Sequence, residues 1–295
     1  MSKADADRFY ISNERLSVEI AKPGTYYKGS RFDWNGFITQ ITLDNEHKFC
    51  VPESLIDGVG TGGYGLCGEF GIHEPVGYDD VAPGGRFPKI GVGLINKPDN
   101  SEYFFFKPYE FTPFNTTITQ SESTIEFTTH PAECNGYSVL YTKHISLDAN
   151  CMTIEYALKN TGEKTVHTTE YCHNFMRIDD EKTGRGYTLS FPYSPVIGEM
   201  PVAMERKTDN ALTWKDEDWG KEFYCTIEGA GAEQSHWWEL YNSKTGVGVR
   251  ETDDFKPIRV ALWGQRHVIS PEAFIEINVE PGMEQKWSRK YEFFK

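Results

Sequence analysis

YSVLYTKHISLDANCMTIEYALKNTGEKTVHTTEYCHNF, residues 137–175, contains three segments in which apolar and polar residues alternate. Alternation with a period of two is typical of a β-strand that buries one face and leaves the other in water. The turn sequences DAN at 148–150 and NTGEK at 160–164 separate the segments. This stretch therefore predicts three consecutive antiparallel strands.

The same alternation continues on both sides of this stretch. It is found in LSVEIAK, FITQITL, STIEFTTH, GYTLSFPY, KEFYCTIEG, GVGVRET, IRVALWG, AFIEINVEPG and WSRKYEFF. Only ESLIDGV at 53–59 and the region WKDEDWGKE at 214–222 suggest a short helical turn. Because no linker or repeat divides the chain, we expect an all-β fold, a large antiparallel β-sandwich forming one domain over residues 1–295. A ligand would bind on the concave face of such a sandwich.

Charge and composition restrict the class of partner. With 30 basic and 44 acidic residues the net charge is −14, which disfavours nucleic acids and anionic membranes and favours a neutral small molecule. Six cysteines form no CxxC pair or zinc pattern, so we expect free thiols and no metal. There is no apolar leader or membrane-length segment, which predicts a cytoplasmic protein. Aromatic residues make up 14 %, which suits both a β core and a sugar-binding groove.

His173 is the first candidate functional residue. Counting by twos along the strand places it on one face with His167 and Tyr171, an arrangement more suited to a wet concave surface than to a hydrocarbon core. An imidazole is a suitable proton donor near neutral pH. The alternative is a structural histidine that only hydrogen-bonds a neighbouring strand. The alternation alone does not decide between the two.

A glycine-rich segment and a short charged segment supply further polar candidates. Residues 58–93 are too irregular for a strand, carry Glu69, His73 and Lys89, and are interpreted as a loop over the mouth of a pocket. Arg31 and Asp33 share a face if that segment is extended, and together they would clamp vicinal hydroxyls. The alternative for this pair is an ordinary surface ion pair.

A histidine acid needs a carboxylate base, and the C-terminal part of the chain offers several. We favour Glu272, which follows Pro271 at the start of a strand. No G-x-S-x-G motif is present, and neither HWWE at 236–239 nor GIHEP at 71–75 has a third metal ligand at a recognisable spacing. The other acidic candidates are Glu239, Glu251, Asp253 and Asp254.

Three segments resemble the aldose 1-epimerase, or galactose mutarotase-like, superfamily. YCHNFMRID at 171–179 is similar to the strand that holds the general acid, which would fall on His173. GLCGEFG at 65–71 is similar to a glycine-rich loop of the glucose-6-phosphate 1-epimerase branch, and INVEPGMEQKWSRKYEFF at 277–294 to the closing strand pair. The resemblance implies a β-supersandwich. One departure is that IRVALWG at 258–264 lacks the catalytic glutamate expected near its end, a role we assign to Glu272.

The resemblance implies a cofactor-free isomerase that interconverts the anomers of a small-molecule sugar by acid–base ring opening. His173 would be the acid and Glu272 the base. The alternatives are a carbohydrate-binding protein without activity, or a polysaccharide lyase or hydrolase on the same scaffold. The sugar, its phosphorylation and the choice between monomer and homodimer stay open. The expected substrate-binding residues are Arg31, Asp33, Glu69, His73, Lys89, Tyr171, Asn174, Trp237 and Trp238.

Overall fold

Antiparallel strands make up the regular structure of the protein. The computed structural model describes residues 7–216, 220, 222–229 and 235–295, and in these ranges the chain forms no α-helix. The strands, in chain order, are β1 (Arg8–Ser12), β2 (Leu16–Ala21), β3 (Phe37–Leu43), β4 (His47–Lys48), β5 (Leu66–Phe70), β6 (Arg86–Lys89), β7 (Gly93–Asn96), β8 (Phe111–Pro113), β9 (Thr116–Gln120), β10 (Thr124–Thr129), β11 (Val139–Asp148), β12 (Cys151–Asn160), β13 (Val166–Asn174), β14 (Tyr187–Ser190), β15 (Met204–Thr208), β16 (Ala211–Trp214), β17 (Phe223–Ile227), β18 (Trp237–Asn242), β19 (Val247–Asp253), β20 (Arg259–Gln265), β21 (Val268–Val279) and β22 (Glu284–Phe294).

These strands form two large sheets and one small one. The first, here called the site sheet, has the order β1-β2-β3-β5-β13-β21-β20-β17, with β4 paired to β3. The second, here called the back sheet, has the order β15-β16-β14-β18-β19-β22-β12-β11-β10-β9. Strands β6, β7 and β8 form the small sheet. All registers are antiparallel, as the alternating sequence predicts.

The core lies between the two large sheets. Strand β11 buries every second residue, so its apolar side chains form one face. Ile145 of β11, Ile277 of β21 and Trp238 of β18 are fully buried in the same apolar cluster, to which both sheets contribute. The packing confirms the predicted all-β sandwich, with alternation as its physical basis.

The expected helical turn at 53–59 is a single hydrogen-bonded turn among bends, in which the Val59 N–H donates to the Ile56 carbonyl at 3.2 Å. Part of the second expected helical turn, 214–222, falls outside the described residues. The expectation that residues 58–93 are too irregular for a strand is wrong. The glycine-rich segment 58–93 contains β5 and β6. All five residues of β5 are buried, so it lacks the polar alternation that marks a half-exposed strand. Its sequence therefore looked irregular although it is a central strand.

The central strands of the site sheet carry polar and ionisable side chains on both of their faces. On β13, Tyr171 pairs with Glu69 of β5 on one side and with Phe274 of β21 on the other. Tyr171 and His173 point away from the back sheet, toward what is here called the open face. Glu170 and Asn174 alternate with them and point toward the back sheet, where they contact Arg289 and Tyr291 of β22. In the described part of the chain, no helix has the length and apolar character needed to span a membrane.

Candidate active site

His173 and Glu272 are in direct contact on the open face. The distance from His173 Nε2 to Glu272 Oε1 is 3.2 Å. Ser270 joins them, since its Oγ lies 2.7 Å from His173 Nδ1 and 3.1 Å from Glu272 Oε1. Ser270 and Glu272 are two residues apart on β21 and therefore share a face, which the neighbouring β13 meets with His173. The sheet thus builds an imidazole, a hydroxyl and a carboxyl into one hydrogen-bonded group.

The hydrogen bonds around Ser270 place a proton on His173 Nδ1. The backbone N–H of Asn174 donates to Ser270 Oγ at 2.9 Å, and the Ser270 hydroxyl donates to Glu272. The remaining contact of Ser270 Oγ must be a bond that it accepts from His173 Nδ1–H. One proton lies between His173 Nε2 and Glu272 Oε1, on the carboxyl when the imidazole is neutral and on the imidazole when it is charged. The hydrogen bonds therefore fix the proton on Nδ1 and leave the shared proton to the relative pKa values of the two groups.

The electrostatics of the pair place the shared proton on Glu272. Burial raises the pKa of Glu272 to about 8, against the opposing effect of the Arg31 charge. Burial also holds the pKa of His173 well below its ordinary value, and the Arg31 charge lowers it further. Two coupled groups of this kind share a proton, and the pair titrates as a unit. Near neutral pH it holds one transferable proton and one acceptor site.

Arg31 and Glu69 form a second buried group beside the pair. Arg31 donates to Glu69 Oε2 at 2.9 Å, to the Tyr171 hydroxyl at 3.0 Å and to Thr61 Oγ1 at 2.9 Å. Tyr171 also donates to Glu69, at 2.7 Å. The guanidinium lies 4.4 Å from the ring centre of Phe32 and 4.4 Å from that of Phe105. These bonds and rings hold Arg31 in one orientation.

Lys89 supplies a further cation to this group. Its Nζ lies 3.5 Å from Glu69 Oε1 and 3.1 Å from the carbonyl oxygen of Gly71. Burial lowers the pKa of Lys89 to about 8, while the Glu69 carboxylate opposes that change. Arg31 and Lys89 thus balance the negative charge of Glu69 from two sides, and Glu69 in turn holds both cations in position.

Aromatic rings surround the imidazole. Phe175 stacks on His173 at 3.8 Å between ring centres, and Trp263 meets it edge-on at 5.4 Å. Only 7 % of the His173 side chain and 5 % of the Glu272 side chain are exposed, so the pair opens narrowly to solvent. Phe104 and Phe106, on either side of Phe105, are more than half exposed at 56 % and 52 %. The rim of the site is therefore aromatic, a surface that suits the apolar faces of a sugar ring.

Several residues predicted to bind substrate lie elsewhere. Asp33 turns toward the back sheet and accepts a hydrogen bond from Tyr141 at 2.8 Å, because its segment is not extended. Asn174 is fully buried on the inner face, where its amide donates to Glu251. Trp237 and Trp238 lie on β18 of the back sheet. These four assignments are corrected by the structure.

The remaining acidic candidates are also distant from His173. Glu251 and Asp253 are buried among groups of the inner face, where Asp253 accepts from His236 at 2.7 Å. Glu239 pairs with Arg250, and Asp254 accepts from Ser288. Glu272 is thus the candidate base that the fold places against His173. Within the described ranges no three histidine, cysteine or acidic side chains are grouped as a metal site.

His73 lies beside the site without joining either buried group. Its ring meets Phe105 at 6.0 Å, and it lines a neighbouring cavity of about 350 Å³ together with Arg259 and Phe274. Sequence reasoning missed Arg259, Ser270 and Phe105. The S-x-E spacing at 270–272 was a readable signal for Ser270, because residues two apart on a strand share a face. Arg259 meets Phe274 across the pairing of the consecutive strands β20 and β21, and Phe105 meets Arg31 from a loop distant in sequence.

Comparison with known proteins identifies the fold. No family model matches the chain, and no curated protein sequence matches it. A galactose mutarotase-like protein from Lactobacillus casei superposes with a TM-score of 0.64 at 13 % identity, covering 97 % of this chain and 100 % of that one. Galactose 1-epimerase from Lactobacillus acidophilus gives 0.53 at 10 % identity, covering 97 % and 94 %. An aldose epimerase homologue from C. elegans gives 0.56 at 10 %, covering 97 % and 98 %. The chain therefore has the fold of the galactose mutarotase-like proteins, as its sequence motifs suggested.

Proposed function

We propose that this protein is an aldose 1-epimerase-like isomerase that interconverts the α and β anomers of a sugar. The observation that carries the proposal is the contact between His173 and Glu272 beneath an aromatic rim. Anomerisation needs one proton donor and one proton acceptor at a single carbon, and the pair supplies both. The similarity to the galactose 1-epimerase from Lactobacillus acidophilus concerns the fold alone. The support for the proposed reaction therefore comes from these two side chains.

The proposed reaction begins with both protein groups neutral. The anomeric carbon C1 carries a hydroxyl and the ring oxygen, so the two reacting oxygens are close enough to meet a donor and an acceptor that touch. Glu272 gives its proton to the ring oxygen while His173 Nε2 takes the proton of the hydroxyl. The C1–O bond of the ring breaks and a carbonyl forms at C1, which leaves an imidazolium beside a carboxylate.

Ring closure restores the starting state. The C1–C2 bond rotates and presents the other face of the carbonyl. His173 then returns a proton to the carbonyl oxygen while Glu272 takes one from the hydroxyl that re-forms the ring. Each group acts once as acid and once as base. This proposal reverses the roles expected from the sequence, in which His173 protonates the ring oxygen and Glu272 takes the proton of the anomeric hydroxyl during opening. The proton count balances without a cofactor.

The neighbouring residues have supporting roles in this proposal. Arg31 is the cation beside the pair, since its charge acts on both His173 and Glu272, and Glu69 and Tyr171 hold it in place. The Lys89 side chain is 1 % exposed and contacts Glu69 and the Gly71 carbonyl, so its role is to support Glu69, not to bind the sugar as the sequence predicted. Trp263 and Phe106 offer partly exposed rings on which a sugar can stack. The site bears cations and neutral donors on one side and aromatic surface on the other, as expected for a monosaccharide.

Polarimetry tests the proposal directly. Freshly dissolved α-glucose and α-galactose should reach anomeric equilibrium faster in proportion to protein concentration. His173→Ala should lower this rate at least 100-fold, since positioned acid–base groups contribute about 10²–10⁴-fold. If the variant and the native protein give equal rates, His173 is not part of the reaction.

The narrow exposure of the pair favours one second candidate, sugar binding without turnover. In that case sugars would perturb the fluorescence of Trp263 and its neighbours, while the rate of anomerisation would stay at the uncatalysed value. The two measurements on one sample separate binding from catalysis.

A further inference from the structure

The cavity beside the acid–base pair is a distinct feature of the open face. Its volume of about 350 Å³ is sufficient for a substituent of a sugar. It lies where the loop after β5 approaches the ends of β13, β20 and β21. Its lining comprises Ile72, His73, Glu74, His167, Thr168, Thr169, Ile258, Arg259 and Phe274.

The cavity adjoins both buried groups of the candidate active site. Phe274 is two residues from Glu272 on the same face of β21, and it stacks on Tyr171 at 4.2 Å between ring centres. On the other side, His73 contacts Phe105, which lies over Arg31. The cavity and the acid–base pair thus share Phe274 as a neighbour, and the cavity-lining Arg259 is near enough to Glu272 for its charge to lower the pKa of that carboxyl.

Arg259 gives the cavity its chemical character. Its guanidinium carbon lies 3.7 Å from the ring centre of Phe274, which fixes the plane of the group. Among the residues that the structure describes, no carboxylate forms an ion pair with Arg259, and its buried Nε has no hydrogen-bond partner. A buried donor without a partner is unfavourable, so a ligand atom that accepts from it would bind well.

We propose that this cavity binds an anionic substituent, a carboxylate or a phosphate, of the sugar whose anomeric carbon lies at His173 and Glu272. The inference rests on the proposed function and names its substrate class. A planar guanidinium matches both oxyanions with two parallel hydrogen bonds, and the half-buried hydroxyl of Thr169 is a further donor. A chain of net charge −14 attracts an anion only through a local cation of this kind.

The test compares anionic and neutral sugars on the native protein and on Arg259→Gln. Anomerisation of glucuronate, glucose 6-phosphate and glucose is followed by NMR exchange, and the ratio of kcat/KM for each anion to that for glucose is determined. The native ratio should exceed one for at least one anion, and which anion identifies the substituent. Arg259→Gln should lower that ratio at least tenfold, or about 1.4 kcal/mol. Arg259→Lys should restore part of it.

Arg250→Gln is the matched control, because Arg250 lies on β19 of the back sheet and pairs with Glu239. It should leave the native ratio unchanged. Equal ratios for the native protein and Arg259→Gln, or a native preference for glucose, would overturn the subsite while leaving the epimerase intact. If no sugar is turned over, calorimetric binding of the two anions decides. Binding that Arg259→Gln abolishes supports the subsite and refutes the reaction, whereas absence of binding refutes the subsite.

Discussion

The two faces of the site sheet bury ionisable groups in different ways. On the open face, His173 and Glu272 touch each other and retain a small exposed area. On the inner face of the same strand as His173, Glu170 is fully buried and bonded to Arg289 at 2.8 Å and to Trp287 at 3.1 Å. Both faces contain a carboxyl with a raised pKa, and burial is the main cause in each. A perturbed pKa alone thus does not identify a site.

The difference lies in access to solvent. The inner-face carboxyls have buried partners: Arg289 for Glu170, Asn174 for Glu251 and His236 for Asp253, a pair with side chains 1 % and 0 % exposed. The open-face carboxyl has an imidazole with which it can exchange a proton, next to a solvent-accessible aromatic rim. We infer that the inner network holds β13 and β21 in register, while the open face carries out chemistry. Substitutions on the two faces should therefore separate activity from stability.

Glu272→Gln should give the largest effect, a loss of anomerisation rate of about 10²–10⁴-fold, because glutamine cannot exchange the proton. The hydrogen bond from Ser270 can be kept, so the melting temperature should not fall. Polarimetry and thermal unfolding of the same preparation measure both quantities. Glu280→Gln, an exposed change just after the same strand, is the control. A variant that keeps its rate would remove Glu272 from the mechanism.

Glu170→Gln should instead act on stability. Removing the charge leaves Arg289 buried without its closest carboxylate, at a cost of about 3–5 kcal/mol in the free energy of unfolding. Urea denaturation measures this cost. At a low temperature, where the variant is fully folded, its anomerisation rate per active site should stay within about threefold of the native rate. Undiminished stability together with a lost rate would contradict the division between the two faces.

Most of the fold was predictable from the sequence, and the reason is visible in the strands. Alternating segments such as 137–147 and 152–160 are half-buried, so their pattern reports the strand directly. Strand β5 was not predicted because both of its faces are buried, so its sequence shows no alternation of apolar and polar residues. The alternation of β13 also placed Tyr171 and His173 on one face, with Asn174 on the other.

The candidate site was only partly predictable. His173 and Glu272 were chosen from chemistry, and the structure places them in contact, but their distance depends on the pairing of β13 with β21. Asp33 was wrong because a turn, not a strand, follows Arg31. The partners of Arg31 come from residues up to 140 positions away, which no local pattern reports. Long-range register is the information that a single sequence lacks.

Glu251→Gln should change how stability depends on pH. Burial raises the pKa of Glu251 from about 4.5 to about 8, and the nearby Asp253 charge adds to this. The unfolded chain releases this proton near the ordinary value, while the folded protein holds it until about pH 8. Stability is thus fully present below about pH 4.5 and is lost as the pH rises to about 8. Glutamine does not titrate, so the variant should lose less stability over this range.

Melting temperatures measured from pH 5 to pH 9 test this expectation, with about 2–4 °C expected for each kcal/mol in a chain of this size. Glu292→Gln, an exposed change on β22 of the same sheet, should follow the native curve. Asp253 and Glu272 also have raised pKa values, near 7 and 8, so part of the decline should persist in Glu251→Gln. Parallel curves for Glu251→Gln and the native protein would show that Glu251 is ionised throughout.

Trp237→Ala should have the smallest effect, because its ring lies on the outer surface of the back sheet. The side chain is half-buried under Arg250, whose guanidinium is 4.7 Å from the ring centre. An exposed cation–π contact contributes about 0.5–1 kcal/mol, so the melting temperature should fall only slightly and the rate should not change. Its neighbour Trp238 is fully buried in the core, and Trp238→Ala should cost about 3–5 kcal/mol. A lost rate in a stable Trp237→Ala protein would place a sugar contact on the back sheet and would contradict the assignment of chemistry to the open face.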